Sequence, residues 1–81
     1  MNEDEIRAAV VDELCRVASD LDPDEVAGDA HLLDDLGLDS MDVLNLVTAL
    51  AKRFGITIPE VDYRQLETPD QAVGYILRKT G

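Results

Sequence analysis

Apolar residues recur at helical spacing in three stretches of the chain, with polar residues between them. The first stretch covers residues 3–18, the second covers residues 40–54, and the third follows Thr68 near the C-terminus. A stripe of this kind buries one face of a helix, so the pattern predicts three main helices. The predicted buried faces contain Ile6, Val10, Leu14 and Val17 in the first helix, Val43, Leu46, Val47, Leu50 and Phe54 in the second, and Val73, Ile76 and Leu77 in the last.

Residues that favour helix ends flank the first and last stretches. Asn2 can cap the first helix, and Glu5 three residues later completes the pattern of a capping box. At the last helix Thr68 is the predicted cap, with Pro69 at the first helical position and Gln71 closing the box. Both helix starts are therefore marked by local chemistry as well as by periodicity.

The segments between the helices predict one long loop and one short helix. Residues 26–39 form a long connection, in which Gly37 supplies a backbone position that disfavours a side chain. Gly55 is a typical end for the second helix; the run "ITIP" then predicts an extended connection and "EVDYRQL" a short helix. The sequence thus predicts one all-α domain, residues 1–81: a four-helix bundle with three main helices, one short helix and a long loop between the first and second. The loop is expected to be anchored to the core by Leu32, Leu33, Leu36 and Leu38.

The charge and the cysteine content exclude several classes of function. The formal net charge is −11, which disfavours nucleic acid and anionic membranes as partners. No stretch approaches the roughly 20 apolar residues of a membrane span, and from the acidic start "MNEDE" we expect no secretory leader. With Cys15 alone, no intramolecular disulfide can form. We expect a freestanding monomer in the reducing cytoplasm, without membrane insertion.

The negative charge is concentrated in one segment. Residues 17–51 contain no Lys or Arg, but they contain nine Asp and Glu residues. Repulsion among these carboxylates is expected to destabilise the fold at low salt, so added salt should raise the melting temperature.

Ser40 stands at the head of the predicted second helix, in the run "LGLDSMDVL". Serine is a preferred helix cap, and Asp42 in the first turn complements the helix dipole. A helix start also suits a phosphate ester on that serine, because its backbone N–H groups lack partners. Met41 and Leu44 lie on outward or flanking positions of the helix and predict a docking surface beside Ser40.

The run "LLDDLGLDSMDVLNLVTALAKRFGITIP" resembles the acyl carrier proteins and related carrier domains. The core of the resemblance is Asp35-Leu36-Gly37, followed by Asp39-Ser40, a hydrophobic residue and Asp42. The resemblance implies that Ser40 receives 4′-phosphopantetheine from coenzyme A through a phosphopantetheinyl transferase that uses a divalent metal. It implies that Asp39 helps to orient the metal and the transferase. The chain would then be a carrier of acyl or aminoacyl thioesters and not an enzyme, with a four-helix fold.

The same resemblance implies that the second helix recognises partner enzymes. Its partners would be an acyl- or amino-acid-activating ligase and acyl-processing enzymes of fatty-acid, polyketide or related specialised biosynthesis. Fatty-acid carriers have a Glu-rich exposed face here, whereas this helix turns basic at its end, which favours a specialised carrier in which Lys52 and Arg53 select the partner. The predicted partner-binding residues are Met41, Asp42, Leu44, Asn45, Thr48 and Lys52.

Three alternatives and one further hypothesis remain open from the sequence. The chain could be an acidic interaction module in which Ser40 is only a helix cap.

Asp20, Asp22 and Asp24 have the spacing of calcium ligands, but the Gly and Glu that complete such a loop are missing, so no metal site is predicted. Cys15 and His31 lack a recognisable catalytic spacing, and we interpret them as a structural thiol and a surface charge partner. An acyl chain could lie between the second helix and the later ones, lined by Leu46, Val47, Ile58 and Ile76.

Overall fold

The computed structural model describes residues 2–80, and its helices follow the predicted order. Helix α1 is Glu3–Val17, α2 is Ser40–Phe54 and α3 is Pro69–Thr80. A 3₁₀ helix, Glu60–Leu66, joins α2 to α3, and a single 3₁₀ turn, Pro23–Glu25, lies in the long first loop. No strand occurs in the described residues. The prediction of an all-α bundle with three main helices and one short helix is confirmed.

The helix ends of α1 and α2 form as their sequences predict. Asn2 Oδ1 accepts the backbone N–H of Glu5 at 2.8 Å, so the predicted cap of α1 is present. Gly55 adopts the left-handed conformation, with φ of 64°, and its N–H donates to the Ala51 carbonyl. Gly37 is also left-handed, with φ of 73°, which turns the chain towards α2 at a low energetic cost for glycine.

Of the two hydrogen bonds in the predicted capping box of α3, only one forms as expected. Thr68 Oγ1 accepts the N–H of Gln71 at 3.1 Å, which confirms the cap. The side-chain carbonyl of Gln71 accepts the N–H of Glu67 at 3.1 Å, not that of Thr68. The second bond of the box therefore closes one residue earlier and ties α3 to the end of the 3₁₀ helix.

One hydrophobic core joins all four helices. Helix α1 packs against both α2 and α3, and the 3₁₀ helix packs against α3. Among the described residues, no helix combines the length and apolar character that a membrane crossing needs. The core contains Ile6, Val10, Leu14, Leu32, Leu38, Leu46, Val47, Leu50, Ile58, Leu66, Ala72, Val73, Tyr75 and Ile76.

Three core assignments from the sequence are wrong. Leu33 was expected to anchor the loop but is 46% exposed, and Leu77 is exposed as well. Tyr75, which the pattern did not place in the core, is only 2% exposed. Its hydroxyl donates to Asp62 Oδ2 at 2.7 Å, so the polar atom is satisfied and the ring can be buried at low cost.

The long first loop is tied to α1 and α3 at Asp70. The Asp70 N–H donates to the Gly28 carbonyl at 2.9 Å, and Arg7 Nη1 donates to Asp70 Oδ1 at 2.6 Å. A Cβ atom on Gly28 would collide with the Asp70 carboxylate. A side chain at position 28 would therefore displace the Asp70 carboxylate from its contact with Arg7, which favours glycine there.

Candidate functional site

Asp39, and not Ser40, caps α2. Asp39 Oδ1 accepts the N–H of Asp42 at 2.9 Å, and Asp42 Oδ2 accepts the N–H of Asp39 at 3.3 Å. This is a reciprocal capping box in which both carboxylates lie at the positive end of the helix dipole. The hypothesis that Ser40 is only a helix cap is wrong, because a better-placed carboxylate one residue earlier performs that task.

Ser40 occupies the first helical position and its side chain is exposed. Between Asn2 and Thr80 the structure shows no hydrogen-bond partner for its hydroxyl. The backbone N–H groups of Ser40 and Met41 are likewise without an acceptor there, as is usual for the first turn of a helix. A free hydroxyl thus stands beside two free N–H groups and the positive end of α2, which is a favourable place for a phosphate ester.

A recess of about 420 Å³ opens beside Ser40, and we call it the Ser40 recess. A second recess of about 270 Å³, the His31 recess, adjoins it. Leu33, Val43 and Tyr63 line both, so the two recesses form a continuous, largely apolar surface between α2, the loop and the 3₁₀ helix. The Ser40 recess is completed by Met41, Leu44 and Glu60, and the His31 recess by His31, Leu32, Arg64, Leu66 and Glu67.

The residues expected to line an acyl chain do not line either recess. Leu46, Val47 and Ile76 are almost fully buried, and Ile58 is buried as well. They belong to the central core shared with α1, which the helical periodicity alone could not distinguish from a surface recess. Leu33 was predicted to lie in the core but is exposed. Its side chain forms one apolar wall of both recesses.

The predicted partner-binding residues lie on one accessible stretch of α2. Met41 is 62% exposed, and Leu44, Asn45 and Lys52 are exposed with it. Thr48 is exposed too, and its hydroxyl donates to the Leu44 carbonyl at 2.9 Å, within the helix. Asp42 is half-buried and is held in the capping box, so it contributes to the helix start more than to an outward surface.

Val61 is a surface residue that the sequence interpretation did not single out. It lies on the 3₁₀ helix, directly after Glu60 of the Ser40 recess, and its side chain is 84% exposed. Its position in "EVDYRQL" gave no signal, because the outward face of a short 3₁₀ helix depends on how the helix packs. Val61 adds an apolar contact to the exposed surface near Ser40.

Arg53 is not available to a partner in the way the sequence suggested. Its Nη1 donates to Asp12 Oδ2 at 2.8 Å and to Glu13 Oε1 at 3.0 Å, which joins the end of α2 to α1. The hydrogen bond from Arg53 lowers the pKa of Asp12, with the charges of Arg16 and Arg53 acting in the same direction. Lys52 is exposed and makes no ion pair with the described residues, so its charge is accessible at the surface.

The structure gives no support to a calcium loop. Asp22 Oδ1 accepts the N–H of Asp24 at 2.9 Å and caps the Pro23–Glu25 turn. Within residues 2–80, no three His, Cys, Asp or Glu side chains converge on a common point where a metal ion could bind.

Cys15 and His31 have separate structural surroundings. Burial, followed by the charges of Asp22 and Asp12, raises the pKa of the Cys15 thiol and reduces its nucleophilicity. His31 Nδ1 lies 3.2 Å from the N–H nitrogen of Leu33, and its Nε2 lies 3.1 Å from Glu67 Oε2. The histidine therefore organises the loop beside its recess.

The profile of the family described as "Phosphopantetheine attachment site" matches residues 4–76. An acyl carrier protein of Bdellovibrio bacteriovorus is 39% identical over 59 residues, which are 73% of this chain and 76% of that protein. A mitochondrial acyl carrier protein of Neurospora crassa is 36% identical over 77 residues, 95% of this chain and 58% of that protein.

A solved structure shares the whole fold. It is a solution structure from Anaplasma phagocytophilum, assigned to the acyl carrier proteins, with a TM-score of 0.88 and 31% sequence identity. The match covers 100% of this chain and 94% of the other.

Proposed function

The chain belongs to the acyl carrier protein family, and we propose that Ser40 is the residue to which its 4′-phosphopantetheine group is attached. Members of the family are carriers and not catalysts. When attached, phosphopantetheine supplies a flexible arm with a terminal thiol that carries acyl groups as thioesters.

The free hydroxyl of Ser40 is the observation that supports this assignment. Because Asp39 and Asp42 cap α2 through each other, the Ser40 hydroxyl can be esterified without loss of a helix cap. The N–H groups of Ser40 and Met41 can donate to the oxygens of a phosphodiester, and the helix dipole favours its negative charge. The acidic environment opposes an anion at long range, but these contacts act at hydrogen-bond distance.

The proposed attachment is a phosphoryl-type transfer from coenzyme A, performed by a separate phosphopantetheinyl transferase. A bond forms between Ser40 Oγ and the phosphorus that bears the pantetheine, the pyrophosphate bond breaks, and 3′,5′-ADP leaves. The hydroxyl proton passes to a base on the transferase. Asp39 has one carboxylate oxygen, Oδ1, engaged with Asp42, while Oδ2 has no protein partner in the described part of the chain and can approach the transferase metal.

The experiment that tests the attachment site is peptide mapping. The protein is incubated with coenzyme A, Mg²⁺ and a transferase of broad specificity, and it is then digested and fragmented in a mass spectrometer. The chain has two serines, Ser19 and Ser40, so the position is decided between two candidates. We expect the added group on the peptide that contains Ser40, whereas modification at Ser19 or no modification would overturn the assignment.

For partner recognition, we propose the exposed stretch Met41, Leu44, Asn45, Thr48 and Lys52, extended by Val61. Apolar side chains beside Ser40 can contact an enzyme that must reach the arm, and Lys52 adds a positive charge at the far end of α2. This charge supports a specialised carrier that is loaded by an acyl- or amino-acid-activating ligase, acting as a monomer in the cytoplasm.

Lys52 is the residue with which to test partner choice. Changing Lys52 to Glu makes the exposed face of α2 more like the Glu-rich face of fatty-acid carriers. We expect faster acylation by a fatty-acid synthase enzyme that presents a basic patch, measured by the rate of thioester formation. Lys79→Glu makes the same charge change at an exposed position of α3, outside the proposed partner surface, and is the matched control. An unchanged rate for Lys52→Glu would remove Lys52 from partner selection.

The joined recesses are the proposed resting place for part of the cargo. Leu33, Val43 and Tyr63 offer apolar walls that begin at Ser40, and burying an aliphatic chain there would remove it from water. Nuclear Overhauser contacts between an octanoyl group on the arm and the Val43 methyls or Tyr63 ring test this. Contacts to Leu46 and Ile76 instead would place the chain in the central core.

A further inference from the structure

The seven Lys and Arg side chains divide into two groups. Arg7, Arg16 and Arg53 form ion pairs with carboxylates of the chain. Among the residues that the structure describes, the other four make no ion pair. Two of these four, Arg64 and Arg78, line the same recess of about 410 Å³, which we call the Arg64 recess. The four cations outside ion pairs are Lys52, Arg64, Arg78 and Lys79.

The Arg64 recess contains more hydrogen-bond donors than acceptors. The Arg64 guanidinium has no hydrogen-bond partner in residues 2–80, and Arg78 uses Nη2 to donate to Gln65 Oε1 at 3.0 Å. The side-chain oxygen of Gln71 already accepts from the backbone of Glu67, and the NH₂ group of this exposed residue has no acceptor within residues 2–80. The Asp70 carboxylate, which also lines the recess, is engaged by Arg7 at 2.6 Å.

Gly74 leaves space in this recess without a packing requirement. It lies in the middle of α3, where glycine weakens a helix relative to alanine. The nearest atom to a Cβ placed there would be Arg78 Nη1 at 3.6 Å, which is an ordinary contact. Neither a close approach nor a positive φ therefore explains the glycine, and its effect is an open surface between the two guanidinium groups.

We propose that the Arg64 recess binds carboxylate groups of an acidic segment of a partner protein. A guanidinium presents two parallel N–H donors that match a carboxylate, and the Gln71 NH₂ adds a third direction of donation. A monoanionic carboxylate suits this site better than a phosphate dianion, because the net charge of −11 repels the second charge more strongly.

This contact is separate from the Ser40 recess, although Arg64 also lines the His31 recess. The Arg64 recess shares no lining residue with the Ser40 recess, and its cations lie on the 3₁₀ helix and α3, away from the acidic start of α2. A partner could place a basic patch against α2 and an acidic segment against α3, so that charges of both signs are matched. A protein that offers only a basic patch or only an acidic segment would then bind less tightly.

The test is an NMR titration of the full chain with the capped peptide Ac-Glu-Gly-Glu-Gly-NH₂ at constant ionic strength. We expect the side-chain N–H signals of Arg64, Arg78 and Gln71 to shift together and to saturate. Arg64→Gln and Arg78→Gln should each weaken binding about threefold to tenfold, as the loss of a surface charge-assisted contact predicts. Lys52→Gln, which removes a cation outside the recess, should leave the affinity unchanged.

Three results would overturn the proposal. If the N–H chemical shifts grow linearly, and equally with the peptide and with NaCl, the effect is only ionic screening. If Lys52→Gln loses as much peptide affinity as the two arginine variants, the effect is one of general charge. Tighter saturation by inorganic phosphate at the same ionic strength would make the recess a phosphate site. Modification of Ser40 in Arg64→Gln should proceed at the normal rate, so failure here is distinguishable from failure of the carrier function.

Discussion

Asp39 and Asp42 hold each other's backbone at the head of α2. The Asp42 N–H donates to Asp39 Oδ1 at 2.9 Å, and the Asp39 N–H donates to Asp42 Oδ2 at 3.3 Å. Because this pair supplies the cap, Ser40, one of the two residues between them, has an exposed hydroxyl with no hydrogen-bond partner in residues 2–80. The helix start is thus stabilised without the Ser40 side chain.

Two substitutions of Asp39 separate its structural and chemical roles. Asp39→Ala removes the cap and should lower the free energy of unfolding by about 1 kcal/mol. Asp39→Ser keeps a good cap and should be nearly as stable as the wild type, but it lacks the carboxylate proposed to meet the transferase metal. We therefore expect slow modification of Ser40 in both variants, measured by intact mass against time. A normal rate of Ser40 modification in Asp39→Ser would show that Asp39 acts only as a helix cap.

The sequence contained the signal for this cap, but the preferred cap residue Ser40 at the next position offered a competing interpretation. "DSMD" has Asp39 and Asp42 at the spacing of a capping box, while Ser40 is a preferred cap at the adjacent position. Periodicity also placed α1, α2 and α3 correctly, because helix stripes and ends are local properties. Which of Leu77 and Tyr75 is buried depends on a distant partner, Asp62, and no local pattern could show it.

The site was predicted in the same uneven way. The exposure of Ser40 and of the candidate α2 residues followed from their positions on one helix. The recess was not, because Leu33, Val43 and Tyr63 come from three separate elements that meet only in the folded chain. The ion pairs of Arg53 with Asp12 and Glu13 join residues about 40 positions apart, which a reading of α2 alone could not reveal.

Arg53 should matter for stability, and Lys52 should not. Arg53→Gln removes the contact between α2 and α1 and should lower the urea midpoint at neutral pH, whereas Lys52→Gln should leave it unchanged. The pKa of Asp12 is below its ordinary value of 3.8 in the folded state, so this contribution is present above that value and is lost as the pH falls through the folded pKa. The difference between Arg53→Gln and wild type should therefore disappear in acid. A constant difference at all pH values would contradict the ion pair.

Tyr75 should make stability sensitive to alkaline pH. Burial, the hydrogen bond to Asp62 and the charge of that carboxylate raise the pKa of Tyr75 from 10.0 to about 12. The stabilising effect of the protonated phenol is present below 10.0 and is lost as the pH rises towards the folded value. Tyr75→Phe should cost about 1 kcal/mol at pH 7, and this gap should narrow between the two pKa values, as urea unfolding can measure.

Tyr63→Phe is the control for this experiment. Its hydroxyl has no protein hydrogen-bond partner in the described residues, so removing it should change the neutral-pH stability little. An equal loss in Tyr63→Phe and Tyr75→Phe would show that the bond to Asp62 does not stabilise the fold.

Added salt should raise the melting temperature. Screening weakens the repulsion among the carboxylates of residues 17–51, which outweigh the few ion pairs on the surface. Asp29 is exposed and has no ion-pair partner among residues 2–80, so Asp29→Asn should raise the melting temperature at low salt and have little effect at high salt. Thermal unfolding followed by circular dichroism measures both, and a melting temperature independent of salt would contradict the repulsion.

The central claim, that Ser40 carries the arm, is tested most directly by the intact mass of three proteins after incubation with coenzyme A, Mg²⁺ and a broad transferase. Wild type and Ser19→Ala should each gain the mass of one phosphopantetheine group, and Ser40→Ala should gain none. Because the Ser40 hydroxyl makes no hydrogen bond to residues 2–80, Ser40→Ala should keep the helical spectrum of the wild type. A lack of modification in this variant would then be due to the missing hydroxyl and not to unfolding. A folded wild type that stays unmodified, or a Ser40→Ala protein that gains the group, would contradict the account.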